Sequence, residues 1–499
     1  MALLEGTWSN QAPRVAESED VQQGLRNPSV QEGRTNIELT ESQSDLSVDA
    51  YTEPFDAVCP LPLLSVRGRK PRVGLNETAA PNAELEQGTR MTRTKRMLCI
   101  ASMGLCLAVA VLSLAGSALG EGLRLVEHHG DAAKYTTSDA IYPVLVLRGS
   151  WEEMGRQYGA LAADSLRSFH EDITADVARR GMGPERQMKK ACDVFDSYGP
   201  ELRGLLQGIA QTSGLSLAQT KILNAGMILL TQAVLGENPP DACSGIAAWG
   251  RYTPDGELVF GRNWDIDREV MRKYMTYLSV AVFHPREGSA FANIHPLGNV
   301  YVETGLNSHG VLVELNNAEQ SDPSYYKDRE DTSSVLLKVL TRAEDGEEAA
   351  RMLLRAPADL SYTLQVADPQ NAVAVERPTF DARIRSGRRE GLLVAYNSFI
   401  PPYPNNWRDR IDPPPSPEQD PRYDNLVALA SSDRFRGKLD PEAMMDLLRI
   451  PIENKGALHA GTVLQVVAVP ETRTIWVRGV EYSDFQKVEL SPLFAESSP

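Results

Sequence analysis

Residues 1–90 follow neither a helical nor a strand rhythm, and polar positions run almost unbroken through VAESEDVQQGLRNPSVQEGRTNIELTESQSD. Such a stretch cannot bury enough apolar area to offset chain entropy, which predicts a disordered extension. The pattern then reverses. Met97 to Ala115 is uncharged and apolar, Arg93, Lys95 and Arg96 precede it, and Gly116, Ser117 and Ala118 follow. From Tyr142 onward apolar positions recur with the periods of folded structure. IYPVLVLRGS reads as a strand, and WEEMGRQYGALAADSLRSFHEDITADVARR as one long amphipathic helix. Two more helical runs follow, over 188–214 and over 216–235, the latter with Ser216 as N-cap.

After Cys243 the rhythm changes to short alternating or continuous apolar runs. ELVFGR, NVYVET, VLVEL, GLLVAYNS, TVLQVVAV and TIWVRGV all read as strands. Helical periods return at 332–356 and 440–450. Helix-rich and strand-rich runs without strict alternation predict an α+β fold rather than a doubly wound sheet. The proline-dense segment 401–421 cannot be regular structure and predicts a long surface loop.

The apolar run 97–115, with basic residues before it and small residues after it, has the layout of a secretory signal over 91–118. Two readings follow. If synthesis begins at Met91 the segment is a signal peptide; if it begins at Met1 the same run serves as a membrane anchor. Either reading places the remainder outside the cytoplasm, exported to a periplasmic or extracellular space or held at the membrane. Composition adds exclusions. The chain has 499 residues and a formal net charge of -16. Its basic clusters lie outside the folded region, so nucleic acid is excluded as a partner. Five scattered cysteines form neither a disulfide scaffold nor a Cys-x-x-Cys metal pair, and the seven histidines show no ligand spacing. No metal and no cofactor are expected.

Within PDACSGIAAWGRYTPDGELVFGRNWDID the turn TPDG, 253–256, joins two strand-like runs and predicts a hairpin. Centring it on Pro254–Asp255 sets Cys243 opposite Ile266, Ser244 opposite Asp265 and Ala247 opposite Arg262. Cys243, Arg262 and Asp265 therefore meet at one end of the hairpin. A guanidinium favours the reactive thiolate, whereas a carboxylate alone opposes it. The carboxylate implies a further positive charge near the thiol. A lone cysteine is otherwise most simply a buried apolar residue, and Arg262 with Asp265 an ion pair. Cys192 lies in a helical pattern and reads as buried.

Cys243-Ser244 followed by Gly261-Arg262-Asn263-Trp264-Asp265 resembles the signature of cysteine N-terminal-nucleophile (Ntn) hydrolases. The chain is similar to the autoproteolytic acyltransferase/hydrolase family typified by isopenicillin N acyltransferase. Choloylglycine hydrolases, penicillin V acylases and acid ceramidases are more distant relatives. LRGSWEEMGRQYG, ELRGLLQGIAQTSGLS, GLNSHGVLVELNN, VAYNSF, SSDRFR and GTVLQVVAVPETRTIWV resemble the family's blocks in order, from about Tyr142 to Gly479.

The resemblance implies a four-layer αββα sandwich with two mainly antiparallel sheets. It also implies self-cleavage between Ala242 and Cys243, yielding an α fragment, 119–242, and a β fragment, 243–499, that stay associated. The freed α-amine supplies the missing charge; its ordinary pKa of about 7.7 to 8.0 suits it to take the thiol proton. By the same resemblance Asp265 orients that amine and Arg262 lies beside the thiol. Asn316 and Asn397 correspond to residues that bind the developing oxyanion or position the reacting groups, with Asn317 as the alternative to Asn316. Arg434 corresponds to a substrate-binding arginine. Ala242 departs from the Gly, Asn or Asp often found before the nucleophile. The implied activity is hydrolysis of a non-peptide amide of a small N-acyl substrate through a Cys243 thioester. The competing readings are acyl transfer through the same thioester and an inactive, membrane-anchored binding protein on the same fold. No Gly-x-Ser-x-Gly elbow supports a serine hydrolase.

Overall fold

The computed structural model describes residues 122–236, 243–318, 325–388 and 390–495. The expectations for 1–118, for the apolar run 97–115 and for Ala242 lie outside the described residues. Among the described residues no helix is long and apolar enough to cross a membrane.

The described residues open with β1 (Arg124–His129), β2 (Ala132–Thr136) and β3 (Pro143–Gly149). Each of the three helical runs predicted next breaks into two. The first gives α1 (Trp151–Leu161) and α2 (Ala163–Arg179), separated at Ala162, whose φ of -121° and ψ of 12° are not helical. The second gives α3 (Pro184–Ser197) and α4 (Pro200–Thr212). Pro200 starts the new helix because a proline lacks the N–H an interior position needs. The third gives α5 (Leu217–Asn224) and α6 (Gly226–Leu235), and Ser216 caps α5 as expected, accepting from the Gln219 amide. Cys192, expected to be buried in its helix, is half-buried on α3.

The strand-rich half begins with β4 (Ser244–Ala248) and β5 (Val259–Asp265). Then follow β6 (Leu278–Pro285), β7 (Phe291–Pro296), β8 (Thr304–Asn307) and β9 (Leu312–Asn317). After α7 (Thr332–Arg342) and α8 (Gly346–Arg355) come β10 (Tyr362–Ala367), β11 (Ala372–Arg377), β12 (Arg383–Ser386) and β13 (Leu392–Tyr396). The chain closes through α9 (Arg422–Ala430), α10 (Pro441–Leu448), β14 (Thr462–Val469), β15 (Thr474–Gly479) and β16 (Gln486–Glu489). Several strands escaped the alternation rule. In β6 six consecutive positions are buried, so both faces are apolar and no period of two survives.

Among the described residues ten strands form one sheet in the order β1-β2-β3-β6-β7-β8-β9-β10-β11-β12, and six form the other, β13-β4-β5-β14-β15-β16. Neighbours are antiparallel except β3 with β6. Helices α1, α7 and α8 pack on the larger sheet, and α9 and α10 on the smaller. The two sheets meet face to face, with β13 against β9, β10 and β11. The layers are the αββα sandwich the resemblance implied.

Two close approaches depend on glycine. A Cβ on Gly208 of α4 would lie 2.2 Å from the Glu152 carbonyl oxygen, and one on Gly155 of α1 would lie 2.3 Å from that of Leu205. The two helices thus touch backbone to backbone. Gly208→Ala forces them apart and is expected to cost about 1–3 kcal/mol, the usual range for overpacking, read as a lower urea midpoint.

Segment 401–421 is more than a surface loop. Trp407 is fully buried within it, among Ala318, Phe399 and Ile411, and its indole N–H donates to Asp381 at 2.7 Å. This anchors the approach to α9, whose first residue matters below.

Candidate active site

The β4–β5 hairpin forms, but its register differs by two residues from the prediction. Ser244 pairs with Asn263, Gly245 with Arg262 and Ala247 with Phe260. The connection is wider than a tight turn, because a 3₁₀ turn at Gly250–Tyr252 precedes the bends of TPDG. A two-residue slip keeps every side chain on its expected face, so the predicted meeting survives. Cys243 immediately precedes β4 and is buried, 8% exposed. Continuing the register one step places it beside Trp264 on one side. On the other, Tyr396 pairs with Ser244, so Asn397 comes abreast of Cys243.

Arg262 is 1% exposed and points from β5 into the space between the sheets. One terminal nitrogen, Nη2, lies 3.9 Å from Cys243 Sγ and donates to the Leu315 carbonyl at 2.7 Å. The other, Nη1, donates to the Glu303 carbonyl at 3.0 Å and to the Thr304 hydroxyl. Its Nε lies 3.1 Å from Glu314 Oε1. Burial opposes its charge, but the attraction of Glu314, Cys243 and Glu303 outweighs this and raises its pKa.

Asp265 ends β5, three positions from Arg262, so its carboxylate faces away from the Arg262 cluster. Arg422 Nη1 reaches it at 3.4 Å and also donates to the Cys243 carbonyl at 3.0 Å. One guanidinium thus holds the carboxylate against the cysteine's own backbone. Asp265 also faces His459, with Nε2 to Oδ2 at 3.0 Å. The antiparallel neighbours β5 and β14 explain this meeting, since His459 lies just ahead of β14. The Gly461 amide donates to His459 Nδ1 at 3.0 Å, so the neutral ring carries its proton on Nε2, toward Asp265.

The two asparagines close the site. Asn316 shares a face of β9 with Glu314, and its Nδ2 donates to Glu314 Oε2 at 2.7 Å. Asn317 lies on the opposite face. Its backbone carbonyl accepts from Asn397 Nδ2 at 2.9 Å, while Asn397 Oδ1 accepts from Arg422 at 3.3 and 3.4 Å. Each amide group carries a second N–H that can donate to an oxyanion.

Arg434 is not brought to this cluster. It is exposed, stacks over Phe435 with 4.6 Å to the ring centroid, and lines an outer cleft with Arg449 and Asp446. Arg422 stands beside Cys243 instead. It is 5% exposed and is held by Asp420 at 2.6 Å. Burial works against its charge, but Asp420, Asp265 and Cys243 prevail and its pKa is raised. Arg422, His459 and Glu314 are the neighbours sequence reasoning missed. Only Glu314 left a trace, as a charge inside the apolar run VLVEL. Among the described residues no group of His, Cys, Asp and Glu is placed to hold a metal ion.

Residues 252–477 match the family model described as acyl-coenzyme A:6-aminopenicillanic acid acyl-transferase. The family that the sequence resembles is the family that it matches. The match takes in Arg262, Asp265, Glu314, Asn316, Asn397, Arg422 and His459, and begins just downstream of Cys243. A protein of Archaeoglobus fulgidus described as uncharacterized is 22% identical over 315 residues, covering 57% of this chain and 49% of its own. The chain therefore spans about half the length of that relative. Among solved structures, the Caenorhabditis elegans N-acylethanolamine-hydrolyzing acid amidase ortholog is 20% identical, over 50% of this chain and 100% of its own, with a TM-score of 0.35. A variant of the conjugated bile acid hydrolase from Clostridium perfringens is 14% identical over 51% and 95%, with a TM-score of 0.37. The penicillin V acylase from Agrobacterium tumefaciens is 16% identical over 50% and 86%, with a TM-score of 0.35.

Proposed function

We propose that this protein is a cysteine amidohydrolase that matures by cutting its own chain between Ala242 and Cys243 and then cleaves a non-peptide amide of a small N-acyl substrate. The observation that carries the reading is the pair of guanidinium groups converging on one cysteine. Arg262 reaches the thiol, and Arg422 ties the Cys243 backbone to the Asp265 carboxylate. Cationic surroundings favour a thiolate. A carboxylate held against the backbone of the same residue suits an α-amine created by cleavage.

In this reading the α-amine of Cys243 takes the thiol proton and Sγ attacks the substrate carbonyl. Asn316 and Asn397 donate to the tetrahedral oxygen, each contributing about 3–4 kcal/mol to the transition state. The tetrahedral intermediate collapses to a thioester, and the α-ammonium returns its proton to the departing amine. Water, deprotonated by the same amine, then releases the acid. The α and β fragments stay together, as the larger sheet takes β3 from one and β6 from the other. Acyl transfer is the second reading, favoured by the description of the matched family. An amine in place of water would resolve the same thioester. The composition of 91–118 favours export, with membrane attachment through 97–115 if that segment is retained.

The test is N-terminal sequencing of the protein after denaturing electrophoresis, followed by assay against a panel of N-acyl amides with and without added acceptor amines. Two fragments are expected, the second starting Cys-Ser-Gly-Ile, with release of free acid from at least one amide. A single uncut chain with no turnover would sink the reading. A product acylated on the added amine would decide for transfer.

A further inference from the structure

Glu314 is fully buried in the middle of β9, between the two sheets. Its two carboxyl oxygens serve different parts of the site. Oε1 faces Arg262 Nε at 3.1 Å, and Oε2 accepts from Asn316 Nδ2 at 2.7 Å. The opposite sheet approaches closely here. A Cβ on Gly245 of β4 would lie 1.8 Å from Gln365 Oε1 and 3.2 Å from Glu314 Oε2, so the sheets come this close only because residue 245 carries no side chain. We infer that Glu314 is a positioning residue that ties the arginine beside the thiol to the asparagine on the oxyanion side, and that its proton sets how much of the Arg262 charge reaches Cys243. This inference rests on the reading of Cys243 as nucleophile.

The charge balance supports such a role. Burial, first of all, pushes the Glu314 carboxyl up to about 7; Glu303 and Asp265 add to the rise, while Arg262 and Asn316 pull it down. The groups around it are Arg262 from β5, Glu303 ahead of β8, Gln365 from β10 and its own neighbour Asn316, with Asp265 at the end of β5 acting on it from the opposite face. Below neutral pH the carboxyl is protonated and the Arg262 charge is left to the thiol. Above neutral pH it ionises and competes with the thiolate for the same guanidinium. Oε2 accepts from Asn316 Nδ2, and Oε1 meets Arg262 Nε as an ion-pair contact.

The test is the pH dependence of Cys243 alkylation by iodoacetamide, with kcat and KM measured on an amide that the wild type turns over. The wild-type alkylation rate is expected to show a second inflection near pH 7 beside the thiol's own. Glu314→Gln should remove it and move the thiol midpoint to lower pH by about one unit, the size a nearby charge gives. It should also lower kcat about 100-fold, as a misplacement near 1 Å does, with KM little changed. Glu314→Asp keeps the charge on a shorter arm, so its alkylation curve should stay closer to wild type. A Glu314→Gln protein with a wild-type alkylation curve, whatever its kcat, overturns the inference, as do Gln and Asp variants with identical curves. If neither variant folds, a single-inflection curve in the wild type overturns it, and a second inflection near pH 7 in the uncut chain, which has no Cys243 α-amine to titrate, supports it. Alkylation needs only the thiol, so an uncut, inactive chain would refute the proposed activity while still reporting on Glu314.

Discussion

Cys243→Ala is expected to leave one uncut chain and to abolish turnover. The cysteine has two duties in the proposed chemistry: its side chain starts the cleavage that frees its own amine, and then carries the acyl group. Loss of a nucleophile costs hydrolases roughly six orders of magnitude in kcat, because the residues that serve it have nothing left to activate. Cys243→Ser separates the duties. A hydroxyl in the same place can still be cut from Ala242, but two guanidinium groups favour an alkoxide far less effectively than a thiolate. Partial cutting with little turnover is the expected result, measured by the ratio of chain to fragments on a denaturing gel and by released acid. The alanine variant should fold, since Cys243 packs in the apolar core cluster with Ala247 and Trp264 and its removal takes away one small group. A cut, active alanine variant would end the assignment of Cys243 as nucleophile.

The second large effect falls on Arg422. Its guanidinium joins Asp420, Asp265, Asn397 and the Cys243 carbonyl. Removing one partner of a buried ion pair leaves the others desolvated and uncompensated, which costs about 3–5 kcal/mol. Arg422→Ala is therefore expected to lower the urea midpoint markedly and to stop both cutting and turnover. Arg422→Lys restores a charge but not the fork that spans four acceptors, and should recover stability better than activity. Arg434→Ala is the contrast. On an exposed side chain stacked over Phe435, it should change stability by no more than about 0.5 kcal/mol and leave turnover intact. Equal losses from the two alanine variants, read by urea titration and by amide assay, would show that the site extends to the outer cleft instead.

The different places of Arg434 and Arg422 show how far motif spacing reaches. Arg434 stands in a run, SSDRFR, that resembles a family block, whereas Arg422 follows a proline-rich loop with no pattern. What brings Arg422 in is the packing of α9 on β13 and β4, with the burial of Trp407 fixing the chain just before it. His459 is similar: its neighbours in sequence predict nothing, and it meets Asp265 only because β14 lies beside β5. Helix breaks at Ala162 and Ala225 were likewise invisible, since alanine favours helix and only the packing of the flanking segments stops it there.

The sequence by itself determined the nucleophile candidate, the mixed class and the meeting of Cys243 with Arg262 and Asp265. Those depend on short-range quantities: the period of apolar residues, a turn between two strands, and a facing parity that a two-residue slip leaves intact. Only the tertiary structure decided which arginine holds the cysteine backbone, that a histidine faces Asp265, and that Glu314 meets Arg262 across the two sheets. Those depend on which strand lies beside which and how two sheets close on each other. Such contacts join residues as far apart as Cys243 and Arg422, and no local period encodes them.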